Sequence, residues 1–76
     1  MKLFAELRAQ KELNAILHEL NQYLSNNYKE PAHRARERLI QRTEELYAEG
    51  VLSEKKYQYW RSVGEEYTIK MKNYRH

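Results

Sequence analysis

His33 and Glu37 stand four residues apart, the spacing at which one helix face offers two ligands to a metal ion. A site needs a third ligand, and the chain has no cysteine and no aspartate to provide one. His18 and His76 lie in other segments, so no metal is expected. Arg34, Arg38 and Arg42 follow one another at four-residue steps, a row able to track a phosphate backbone. Glu30, Glu37 and Glu45 sit within helical reach of that row, where they pair with the arginines and dilute its field. Catalytic chemistry has less to stand on. There is no glycine-rich phosphate loop, no serine or cysteine nucleophile beside a histidine, and no strand to carry such an elbow. The paired glutamates Glu44 with Glu45 and Glu65 with Glu66 belong to amphipathic stretches and face water. No enzyme activity and no cofactor is expected.

These residues must be positioned by helices. Glutamate supplies every acidic side chain, and two glycines and one proline leave little punctuation for loops. Leu13, Ile16, Leu17, Leu20 and Leu24 mark one face of a first helix, near residues 2 to 26, which Ser25-Asn26-Asn27 closes. Pro31 then suits the first position of a second helix, 31 to 49, with Ala32, Ala35, Leu39, Thr43, Leu46 and Tyr47 inward and Gly50 as its left-handed stop. Ser53 caps a third, 53 to 74, with Glu54 in its positive first turn. Along it Tyr57, Trp60, Gly64, Tyr67, Met71 and Tyr74 alternate steps of three and four, which is a buried seam. The reading is an all-α domain over residues 1 to 76, a three-helix antiparallel up-down-up bundle.

The stretch Leu46-Tyr47-Ala48-Glu49-Gly50-Val51-Leu52-Ser53-Glu54-Lys55-Lys56-Tyr57 resembles the turn of SHOCT-type short helical domains and of other small bacterial helical hairpins. That resemblance implies a bacterial interaction module.

Within this frame several residues have two readings. Gly64 costs about 1 kcal/mol in a helix interior; either a neighbouring helix approaches closely there, with Trp60 and Tyr67 closing over the gap, or the gap is a ligand slot or partner groove. The 7 tyrosines belong mostly to the core or its rim, hydroxyls reaching water, with Tyr28 and Tyr59 left for recognition. Arg36 falls among Ala32, Leu39, Ile40, Thr43 and Tyr47, so it either snorkels to the rim or makes an ion pair at a helix or subunit interface.

The net charge is +3, and since the eight cations and eight glutamates of residues 1 to 52 cancel, the excess lies in the third segment. Lys70, Lys72 and Arg75 there complement a helix C-terminus. The first twenty residues interleave charge with apolar side chains, unlike a signal peptide, so a cytoplasmic protein is expected. A domain of 76 residues buries only about 60% of its unfolded surface and gains from self-association. Leu3, Phe4 and Leu7 are rotated away from the main stripe of the first helix and invite a second chain. The expected function is a non-enzymatic protein interaction module, homodimeric through Leu3, Phe4 and Leu7 with Arg36 as a further interface candidate. The alternative is a nucleic-acid-associated protein using Arg34, Arg38, Arg42, Lys70, Lys72 and Arg75.

Overall fold

Leu13, Leu20, Ala32, Ala35 and Leu39 come from the first two apolar stripes, and none retains any exposure to solvent. The computed structural model in which they meet describes residues 2–75, with side chains from residue 3. His76 and the side chain of Lys2 lie outside the described residues. The elements are α1 (Lys2–Ser25), α2 (Lys29–Ala48) and α3 (Glu54–Lys70), with no strand among the described residues.

Both turns are closed by the same backbone device. Asn27 has φ 58° and Gly50 has φ 77°, the left-handed conformation that asparagine and glycine tolerate best. After α1, Tyr28 N–H donates to the Tyr23 carbonyl and Asn27 N–H to that of Leu24. After α2, Val51 N–H donates to the Leu46 carbonyl and Gly50 N–H to that of Tyr47. Each is a Schellman closure, which satisfies carbonyls the helix end would otherwise leave bare.

The start of α3 is capped by two helices. Ser53 Oγ accepts from Lys56 N–H at 3.3 Å. In a capping box the residue three positions on would be a glutamate reaching back to the cap's own N–H. Lys56 cannot do this, and Glu6 of α1 takes its place, its Oε2 accepting from Ser53 N–H at 2.6 Å.

Two boundaries differ from expectation. α2 begins at Lys29 rather than Pro31, so the proline occupies the third helical position, where a missing N–H is still harmless because the first turn has no intrahelical acceptors to satisfy. α3 ends at Lys70 rather than near Tyr74; the chain continues in three-residue turns, with Lys72 N–H donating to the Ile69 carbonyl and Tyr74 N–H to that of Met71. Met71 and Tyr74 therefore join the seam from a turn, not from the helix.

Pairings across the helices give their directions. Glu12 meets Arg42 and Glu19 meets Arg38, so α1 and α2 run oppositely. Tyr47 meets Glu54, Glu44 meets Tyr57, and Arg36 meets Thr68, so α2 and α3 also run oppositely. α2 is the middle helix. Among the described residues no Cα of α1 comes within 8 Å of a Cα of α3, and the gap is filled by side chains. Trp60, 2% exposed, belongs to the larger apolar cluster with Ala9, Leu13, Leu39, Leu46 and Leu52. Leu20, Ala32, Ala35 and Met71 form a second cluster, flanked by Tyr23, Leu24, Tyr67 and Tyr74.

Gly64 resolves in favour of close helix approach. A Cβ built there would lie 2.8 Å from Ile40 Cγ1, so it is the side chain of Ile40 that occupies the space above the glycine. Gly64→Ala should destabilise the domain by about 1–3 kcal/mol, although alanine is favoured in a helix by about 1 kcal/mol, because Ile40 is stiff at χ1 and cannot easily withdraw. In an Ile40→Ala background the same change should become neutral or stabilising, which urea denaturation of the four variants would measure. Trp60→Ala should cost about 3–5 kcal/mol, and native tryptophan emission should be blue-shifted and protected from quenchers; a water-like emission would contradict the packing.

Candidate interaction surfaces

Leu3, Phe4 and Leu7 are 61%, 59% and 54% exposed, so the residues rotated off the stripe stay outside the core. Their outward aim has a local cause. At 100° per residue they centre roughly 150° from the arc of Ala9, Leu13, Ile16 and Leu20, and Glu6, on the inner side, is held by the Ser53 N–H. The first turns of α1 are thus tied to the α2–α3 turn, with Leu3 at the edge of that turn and Phe4 and Leu7 exposed beside it. Farther along that outer face Lys11, Asn14, His18 and Gln22 are exposed and polar, so the apolar patch is confined to one end.

Arg36 lies on a different surface, against α3 and half-buried. Its Nη1 donates to Thr68 Oγ1 at 3.4 Å, and Nη2 faces His33 Nδ1 at 3.4 Å and Glu37 Oε2 at 3.8 Å. It is not brought together with Leu3, Phe4 or Leu7.

The arginine row divides. Arg38 donates to Glu19 Oε1 at 2.7 Å, and Arg42 Nε to Glu12 Oε2 at 2.6 Å, tying α2 to α1. Only Arg42 with Glu45, at 3.2 Å, forms the intrahelical pair expected along the row. Glu30 makes no ion pair with Arg34, and Glu12 turns to Arg42 instead of Arg8; the antiparallel neighbour offers a better-aimed partner than the same helix does. Arg61 with Glu65 stays intrahelical at 3.5 Å, whereas Lys70 lies over the Tyr67 ring, 5.0 Å from its centroid, rather than on Glu66. Lys72 and Arg75 are exposed on the C-terminal turn.

His33 is not disposed as the metal ligand its spacing with Glu37 suggested. Its Nε2 lies 2.6 Å from the carbonyl oxygen of Tyr74, an acceptor, so Nε2 carries the proton and Nδ1 is left to accept from Arg36. Both ring nitrogens have partners within the chain.

The seam residues Tyr57, Trp60, Gly64, Tyr67, Met71 and Tyr74 are all buried or half-buried. Their tyrosine hydroxyls do not simply reach water, as the sequence suggested. Tyr57 donates to Glu44 at 2.8 Å, Tyr67 to Asn21 Oδ1 at 2.6 Å and Tyr74 to Asn27 Oδ1 at 2.9 Å, while Tyr47 donates to Glu54 at 2.5 Å. The Tyr47 and Tyr57 rings are stacked with centroids 3.8 Å apart. Tyr28 and Tyr59 are exposed at 56% and 57%, the latter edge-on to Trp60.

Two clefts went unread in the sequence. One, of about 490 Å³, opens between α2 and α3 beside Ile40, Trp60 and Ile69. The other, of about 340 Å³, lies where the C-terminal turn folds onto the start of α2 and is lined by Lys29, Glu30, His33, Arg34, Arg36, Glu37, Tyr74 and Arg75. No local pattern announces either, since each requires residues from two segments.

Among the described residues no helix is long and apolar enough to cross a membrane. Comparison of the chain with known protein families, curated proteins and solved structures finds no match in any of the three.

Several side-chain hydrogen bonds displace the titration of the groups they join. Hydrogen bonds to Glu54 and Glu44 hold the Tyr47 and Tyr57 phenols above their ordinary value of 10.0. Glu19, hydrogen-bonded by Arg38, and Glu54, hydrogen-bonded by Gln58 and then Tyr47, are held below the ordinary 4.5. A raised phenol stabilises the fold below its unfolded value and loses that contribution as pH rises through the folded one; a lowered carboxyl stabilises above its unfolded value and loses it as pH falls through the folded one. The urea midpoint should therefore be flat near neutrality and fall both in alkali and in acid. Tyr47→Phe with Tyr57→Phe should make the alkaline limb shallower, and an unchanged limb would remove these two contacts as its cause.

Proposed function

We propose that the protein is a small non-enzymatic interaction module that associates with a second copy of itself through Leu3, Phe4 and Leu7. The observation that carries this reading is the exposure of three large apolar side chains on one arc of an otherwise polar outer face. Contiguous exposed apolar area of this kind marks association surfaces. Glu6 supports it, because a first turn held against Ser53 presents the patch as a fixed surface and little conformational entropy is lost on docking. A two-fold dimer is the simplest assembly, since one self-complementary patch then covers itself. The cytoplasm is the setting we assign, and the bacterial affinity of the hairpin turn belongs to the same proposal.

The nucleic-acid reading draws less support. Arg38 and Arg42 are engaged with Glu19 and Glu12, which interrupts the positive row. Any binding to random DNA or RNA should be weak and fall steeply with salt.

Light scattering at micromolar concentration should return the mass of a dimer. Phe4→Glu with Leu7→Glu should shift it to monomer while circular dichroism keeps its helical signal. A wild-type chain that remains monomeric at hundreds of micromolar would end the proposal.

A further inference from the structure

We propose that the cleft between the start of α2 and the C-terminal turn binds a phosphoryl group. Four cations line it, Lys29, Arg34, Arg36 and Arg75, against the two carboxylates of Glu30 and Glu37. Lys29, Arg34 and Arg75 have no carboxylate within 4.0 Å among the described residues, whereas Arg36, Arg38 and Arg42 of the same helix each have one.

Arg36 is the most informative of the four. Its side chain is only 17% exposed, yet its closest polar contacts are at 3.4 Å, the outer limit of a hydrogen bond, and its one carboxylate lies at 3.8 Å. Its Nε is buried with no hydrogen-bond partner at all. A guanidinium so far withdrawn from water normally has close partners, because desolvating its charge is costly. Its Nη atoms, held only by these long contacts, stand on the wall of a cationic cleft.

The cleft's walls are well defined. His33 Nε2 donates to the Tyr74 carbonyl at 2.6 Å, Tyr74 Oη donates to Asn27 Oδ1 at 2.9 Å, and Lys29 Nζ lies 5.4 Å from the centroid of the Tyr74 ring. These contacts pin the turn after α3 across α2, so that Arg75 lines the same cleft as Arg34. Nearby, the N-terminus of α2 adds its positive macrodipole end, and the cap residue Tyr28 provides no side-chain hydrogen bond to cover it.

Donors from two turns of α2 and from the tail line one cleft, and a set drawn from separate segments suits the tetrahedral oxygens of a phosphoryl group better than a planar carboxylate. A single group is indicated rather than a nucleic-acid strand, since the positive surface stops where Arg38 and Arg42 turn to α1.

The test is a titration of the full chain with inorganic phosphate at constant ionic strength, followed by backbone amide chemical shifts, with acetate as competitor. Saturable shifts confined to residues 29–37 and 74–75 are expected. Affinity should fall about tenfold in Arg34→Gln, an exposed residue whose loss leaves the fold intact, and further with Arg75→Gln added. Arg36→Lys, which keeps charge but loses the fork, should weaken binding by a similar factor. Vesicles of phosphatidic acid in phosphatidylcholine, compared with phosphatidylcholine alone, identify the source: Arg34-dependent binding to the former assigns a lipid headgroup, and its absence with free phosphate still bound assigns a soluble phosphate compound. No saturable shift, equal shifts in Arg34→Gln, or acetate binding as tightly as phosphate would overturn the proposal.

Discussion

The close approach of α3 to α2 at Gly64 is the constraint on which the other contacts depend. A Cβ at that position would collide with Ile40, and holding the two helices further apart would lengthen the reach between Tyr47 and Glu54 at one end and between Arg36 and Thr68 toward the other. With α3 seated on α2, α1 can pack on α2 alone, and Trp60 supplies the bulk that spans the remaining distance to Ala9 and Leu13. At this end of the bundle a large ring thus links two helices whose backbones do not come near each other. In so small a core no other side chain could replace its volume.

Around this core a set of polar contacts runs from one helix to another. Arg38 and Arg42 reach α1, Tyr57 reaches α2, Tyr67 reaches α1, and Glu6 caps α3. Exposed ion pairs and hydrogen bonds each contribute little to stability. Their effect is on specificity: each bond holds only when the helices stand in the observed register, so together they select one arrangement among several that the apolar stripes alone would permit.

The two ends of the bundle are chemically unlike. One carries the apolar first turn of α1 beside the α2–α3 turn, the other a cationic cleft beneath the C-terminal turn. They are separated by most of the long axis of a molecule 44 Å in extent, so a partner could occupy either without contacting the other. Association through Leu3, Phe4 and Leu7 would accordingly leave Arg34, Arg36 and Arg75 open.

The sequence by itself determined the helices and their inward faces. Leu13, Leu20, Leu39, Leu46 and Trp60 recur at helical spacing, and burying them on one side of each helix is the only way to remove them from water together. It determined the stops of the first two helices too, because Asn27 and Gly50 are residues that accept positive φ. The rotation of Leu3, Phe4 and Leu7 off the main stripe was readable as well, and the packing of α1 then left them exposed. What only the tertiary structure decided are the partners of groups with several within reach. Arg38 took Glu19 of α1, and Arg42 added Glu12 of α1 to Glu45 of its own helix; the cap of α3 was completed by Glu6, 47 residues away. Tyr74 lay in phase with the seam, yet the helix ended at Lys70 and the tyrosine came to rest by His33 and Asn27. Spacing along a chain reports which residues share a face, whereas the competition among long, flexible polar side chains is settled by distances that exist only once the helices have packed.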